Sequence, residues 1–227
     1  MSGWISLAAK LLLALPAVVF ASPRSLDLYA EVLSLTPAPK EGARLYQHHC
    51  ASCHGKQALG SGEKVIPSLA GQVESYLVKE LVDFVELDRD TPEMHRLMAT
   101  RELDKPQAWR DLAAYLTRLA PNEKAQIGNG NAVMQGAQAY AEYCAHCHGA
   151  AGEGKEDGTP ALRSQHYSYL ILQLRSFDTD HRLNIEQPLL ENMVGLDREE
   201  MEAMADFLSR LLPGTRDSRT VGRQARP

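Results

Sequence analysis

Cys50-Ala-Ser-Cys53-His54 and Cys144-Ala-His-Cys147-His148 are the stretches of this chain whose residue types and spacing point most directly to chemistry. In each, two thiols stand three positions apart and an imidazole follows at once. A single helical turn presents all three groups to one planar macrocycle. The thiols add to its vinyl groups, and the histidine reaches the iron from the proximal side. C-x-x-C also occurs in redox dithiols and zinc sites. A zinc reading would pool His54 and His148 with four thiolates. It is disfavoured because each motif sits in its own copy of a repeat. The motifs use all four cysteines, so none is left for a disulfide. The expected cofactors are two covalently bound haem c groups.

The repeat is legible around the motifs. Gly42, Ala43 and Tyr46 recur 94 positions later as Gly136, Ala137 and Tyr140. After the motifs the offset is 93: Leu69 matches Leu162, Gln72 matches Gln165, Tyr76 matches Tyr169, Leu81 matches Leu174 and Phe84 matches Phe177. Tyr115 matches Phe207 at an offset of 92. A conserved order with such small drifts marks a tandem duplication. The organisation read from it is a first unit over 36–120, a linker over 121–133, a second unit over 134–213 and a basic tail over 214–227. The linker carries the turn-rich run Gly128-Asn-Gly-Asn131. A unit of this size buries little surface unaided. A covalently held haem supplies the missing apolar mass.

The elements that must position these groups read as helices. Glu41–Ala51 and Gln135–Ala145 lead into the motifs. Glu74–Phe84 and Tyr167–Phe177 follow them, and Pro106–Leu119 and Arg198–Leu212 close the units. Val73, Leu77 and Leu81 lie four apart and share one face. Met201, Met204, Leu208 and Leu211 form the apolar stripe of the last helix. No alternating pattern competes, so the fold class is all-α.

The other side of each iron decides between electron transfer and small-molecule chemistry. A methionine sulfur closes the site and raises the potential. The first unit offers Met94 and Met98, four apart, with His95 between them. The second unit offers Met193, with His181 as a rival. Pro67 and Pro160 follow the motifs at similar distances. Their carbonyls can meet the free nitrogens of His54 and His148, which would orient the rings.

With Pro67-Ser-Leu-Ala-Gly-Gln72 before Tyr76, and Pro160-Ala-Leu-Arg-Ser-Gln165 before Tyr169, the chain resembles the tandem dihaem class I cytochromes c of bacteria, the c-four type. Asp111-Leu-Ala-Ala-Tyr115 and Met204-Ala-Asp-Phe207 look like that family's terminal helices. The resemblance covers nearly all of residues 36–212. It implies two cytochrome folds in a pseudo-twofold arrangement, His/Met ligation of each iron and electron transfer between respiratory partners. Those partners are a quinol-oxidising complex, a dehydrogenase or a terminal oxidase, and no enzyme activity is expected of the isolated carrier. The second unit departs from the family pattern. Where a methionine usually follows an Arg-x-Asn stretch, this sequence reads Arg182-Leu-Asn184 and then Leu189-Leu190, and Met193 comes late. An open second iron would give the alternative function, a small peroxidase-like or ligand-binding haem protein.

The N-terminus sets the compartment. Leu11–Ala21 is apolar except for Pro16, too short for a span of about 20 residues. It fits a secretory signal cleaved after Ala21, with an uncleaved membrane anchor as the alternative. The expected location is the periplasm. Removing residues 1–21 leaves 23 basic against 29 acidic residues, a net charge of about −6 before haem propionates are added. That balance argues against nucleic acid as a partner. Arg216, Arg219, Arg223 and Arg226 make the tail basic, which would allow peripheral contact with a lipid surface.

Overall fold

A computed structural model describes residues 23–177 and 196–214. The signal segment, His181, Met193 and the tail arginines lie outside the described residues. Those described are helical apart from loops and one isolated antiparallel bridge between Ser61 and Ile66. None of the helices is long and apolar enough to cross a membrane.

The first unit is built from α1 (Pro23–Ser34), α2 (Pro39–Leu45), a π-helical turn (Tyr46–Cys50), α3 (Ala51–His54), α4 (Glu74–Val85), α5 (Pro92–Met98) and α6 (Pro106–Leu116). The second has α7 (Val133–Tyr143), α8 (Ala145–His148), α9 (Tyr167–Ser176) and α10 (Arg198–Ser209). Prolines open α2, α5 and α6, where a missing N–H costs nothing. Asp197 opens α10 with a full capping box: its side chain accepts from Glu200 N while Glu200 accepts from Asp197 N.

The helix expected before the first motif runs on without interruption over 39–54 and widens to a π turn at Tyr46–Cys50; the one before the second motif breaks at Cys144, between α7 and α8. Two helices were not anticipated. One is α1, whose Val32 is fully enclosed in the first core. The other is α5, which carries Met94 and Met98.

Each unit crosses the helix before its motif with its last helix at a glycine. A Cβ on Gly42 would stand 1.9 Å from Asp111 O, and one on Gly136 would stand 1.9 Å from Ala203 O. Only glycine allows α2 on α6 and α7 on α10 to approach so closely. Beside the crossings, Tyr46 meets Tyr115 with ring centroids 5.6 Å apart, and Tyr140 meets Phe207 at 5.5 Å. The repeat pairs read from sequence are thus the packing pairs of the two crossings. Each core is one cluster: Leu45, Tyr46, Leu77, Val78, Met98 and Trp109 anchor the first; Tyr140, Leu170, Phe207 and Leu211 anchor the second.

Between the units, 121–133 is a strap rather than a spacer. Asn122 is only 2% exposed and donates to Leu59 O at 3.1 Å. Gln126 accepts from Tyr167 N at 2.8 Å through its carbonyl and from Ser168 N at 3.1 Å through its side chain. Gly130 N donates to Asp206 at 2.7 Å. Polar groups of the strap are therefore satisfied on both units, as burial demands.

Candidate haem-attachment sites

Cys50, Cys53 and His54 lie on the π turn and α3, and Cys144, Cys147 and His148 on the break and α8. Each turn is stopped by a glycine in the left-handed region, Gly55 at φ +81° and Gly149 at φ +83°. Glycine adopts that conformation without steric cost. The chain then folds back: Gly60 N donates to His54 O at 2.9 Å, and Gly154 N donates to His148 O at 2.9 Å. Tyr46 OH donates to Gly55 O at 2.6 Å, and Tyr140 OH donates to Gly149 O at 2.5 Å. A buried tyrosine in each unit thus pins the end of the C-x-x-C-H turn.

His54 Nδ1 lies 3.2 Å from Pro67 O, and His148 Nδ1 lies 2.9 Å from Pro160 O. Each ring spends its Nδ1–H on a carbonyl, which leaves Nε2 with its lone pair. Burial holds both imidazoles below their ordinary pKa, against the opposing effect of the proline carbonyls. Both rings are therefore neutral and fixed in orientation, as an iron ligand would need to be.

Burial also pushes the Cys50 thiol up to about 12 and the Cys144 thiol up to about 11, with their partner cysteines adding to the effect. A redox dithiol needs the reverse, a thiolate at low pKa. All four cysteines are free, and in each pair the first is half-buried and the second exposed. Free thiols one turn apart, beside a neutral histidine with an open Nε2, fit a covalently attached haem with one histidine on the iron. When bound, the haem supplies a reversible one-electron couple; the chain binds it, orients its ligand and shields it.

Met98 is enclosed at 2% exposure at the end of α5, and Met94, one turn earlier, packs partly buried against the same core. His95 faces away from that role, with Nε2 2.5 Å from Arg89 O. The loop after Met98 is tied down by Trp109, whose Nε1 donates to Leu103 O at 2.5 Å. Met193 and His181 fall outside the described residues.

What sequence reasoning missed is how the two units are joined. Gln72 and Gln165 stood out only as repeat partners. Gln72 accepts from Ala161 N at 2.8 Å and donates to Ala161 O at 2.9 Å. Gln165 accepts from Ser68 N at 2.9 Å and donates to Ser68 O at 3.0 Å. Ser68 and Ala161 are themselves equivalent across the offset of 93. They directly follow Pro67 and Pro160, so the joint acts on the carbonyl segments that hold the haem histidines. His166 adds a bridge, with Nε2 2.8 Å from Leu59 O. Arg89, paired with Glu80, reaches across to Tyr169 OH at 2.7 Å and Gln173 at 3.1 Å.

A duplicated helical unit with a C-x-x-C-H turn and a carbonyl-held histidine in each copy defines a two-haem c-type cytochrome. The family model for cytochrome c matches residues 39–120 and again 133–212, and the chain belongs to that family as a tandem member of the cytochrome c4 group. It is 30% identical to cytochrome c4 of Pseudomonas aeruginosa, over 71% of this chain and 83% of that protein. It is 28% identical to a thiosulfate dehydrogenase electron acceptor of Stutzerimonas stutzeri, over 79% of this chain and 90% of that protein. The crystal structure of reduced cytochrome c4 from Pseudomonas stutzeri superposes with a TM-score of 0.68 at 23% identity, over 78% of this chain and all of that one. The chain carries two covalently bound haem c groups and acts as an electron carrier rather than an enzyme. α1 precedes the first matched segment, which begins at residue 39.

Proposed function

We propose that this chain works in the periplasm, accepting electrons from a dehydrogenase and passing them to a downstream oxidase. The exposure of Cys53 and Cys147 carries the reading. Each unit leaves one attachment edge at the surface, so electrons can enter at one and leave at the other. The reciprocal glutamine joint keeps the two attachment loops in one frame, which favours transfer between them. For the donor, a dehydrogenase of inorganic sulfur compounds is favoured. Two relatives bear the name thiosulfate dehydrogenase electron acceptor, from Stutzerimonas stutzeri and Thiomonas intermedia. A thiosulfate dehydrogenase structure from Marichromatium purpuratum also aligns, with a TM-score of 0.66 at 26% identity, over 75% of this chain and 40% of that one. The apolar stretch Leu11–Ala21, which fits a secretory signal, supports the compartment.

On this reading Met98 closes the first iron, because an axial thioether must be held rigidly inside the core. Met193 closes the second. The domain limits are those of the repeat, 36–120 and 134–213.

The holo-protein, mixed with thiosulfate and a thiosulfate dehydrogenase, should be reduced at both haems, with a rate that changes with ionic strength. Reduction by thiosulfate alone, or no reduction with the dehydrogenase present, sinks the donor assignment. Carbon monoxide should leave the reduced spectrum unchanged. A shift at one haem would instead support the alternative of an open, ligand-reactive second iron.

A further inference from the structure

His48 and His49 stand on the π-helical turn, directly before Cys50, and neither belongs to the haem motif. Their rings meet edge to face with centroids 4.6 Å apart. Glu102, from the loop before α6, brings Oε2 to 2.6 Å from His49 Nε2. One ligand atom from each of the three residues lies within 4.8 Å of the others. We propose that His48, His49 and Glu102 form a surface site for a divalent transition-metal ion, of the Zn²⁺ class, on the shoulder of the first haem attachment.

The donor set suits such an ion. Two imidazoles and one carboxylate, with the remaining positions open to water, match zinc or copper better than magnesium or calcium, which prefer all-oxygen shells. Bonds of about 2.0–2.2 Å place ligand atoms about 3–4 Å apart, so a small rotamer change closes the present cluster around one ion. The His49 ring takes its other tautomer, turning the Nε2 lone pair to the metal in place of the proton now shared with Glu102.

The surrounding charge is also suitable. Arg44 holds the other Glu102 oxygen at 3.2 Å. It is simultaneously engaged by Glu41, at 2.8 Å from Oε1. Two carboxylates thus face one guanidinium, leaving a net negative charge beside the two rings. The hydrogen bond from His49, with the Arg44 charge, holds the Glu102 carboxyl below its usual range, so it is an ionised ligand near neutrality.

The site is private to the first unit. At an offset of 94, the second unit has Glu142 and Tyr143 in place of the two histidines. The second unit is therefore an internal contrast.

The test is calorimetric titration of the chelator-washed holo-protein with ZnCl₂. The expected result is one site per chain. His48→Gln and Glu102→Gln should each weaken it about tenfold or more, while Glu142→Gln leaves it unchanged. His48 is exposed, so its replacement spares the core, and an unaltered haem spectrum confirms the fold. No binding to the wild type, or binding that neither His48→Gln nor Glu102→Gln weakens, overturns the proposal.

Discussion

Gln72 and Gln165, 93 positions apart and equivalent in the repeat, each close a two-bond ring on the backbone of the opposite unit, at Ala161 and Ser68 respectively. An amide side chain has one donor face and one acceptor face, as a peptide unit has. Each glutamine therefore stands in for a strand neighbour that neither loop possesses. The pairing is reciprocal, so a single sequence feature, once duplicated, made both halves of the joint.

Replacing Gln165 with leucine leaves Ser68 N and O without their partner in a buried setting. That should cost about 1–3 kcal/mol. Gln72→Leu should cost less, because Gln72 is less buried than Gln165, which is 7% exposed. Guanidinium unfolding, followed both at the haem absorption and by helical circular dichroism, measures the loss. An unchanged midpoint in Gln165→Leu would remove the joint from the account of stability.

Gly71 and Ser164 occupy the same place in the two repeats, at φ +69° and φ +60°. Each donates its N–H to the chain where the unit's last helix finishes, to Leu116 O at 3.0 Å at the end of α6 and to Leu211 O at 2.9 Å just past α10. Serine in the left-handed region is strained where glycine is not. Ser164→Gly should stabilise the protein by roughly 1 kcal/mol. Gly71→Ser should destabilise it by more, since its Cβ would also stand 2.6 Å from Pro121 Cγ. Thermal unfolding of the two variants should move in opposite directions.

Met98→Ala should abolish the weak band of methionine-ligated ferric haem near roughly 695 nm for the first haem and open that iron to carbon monoxide. Met94→Ala should keep the band and lower stability through lost packing. The reverse pattern would assign the first iron to Met94.

Both haem histidines have pKa values below the ordinary value of about 6.5. Below that value the unfolded chain binds more protons at these positions than the folded one. Stability should therefore be fully present above about pH 6.5 and fall as the pH drops through it. Iron on Nε2 acts in the same direction, since it competes with the proton. Denaturation midpoints at pH 7.5 and pH 5 test the sign.

The helices after the motifs were legible because their apolar residues repeat at helical spacing. Glu74–Phe84 and Tyr167–Phe177 differ from α4 and α9 by one residue each. The short α5 and the leading α1 were not legible. Seven residues give too few turns for a periodic signal, and α1 is ordered by burial of Val32 against a core that its own sequence does not contain.

The sequence alone determined the cofactor chemistry, the duplication and the helical class. These follow from covalent spacing and local periodicity, which survive in one dimension. Tertiary structure decided the rest: how Gln72 and Gln165 exchange partners, and that Glu102 meets His49 across 53 positions. Those contacts join groups far apart in the chain. Their geometry is fixed only when two glycine-tight helix crossings and a buried strap set the loops against one another.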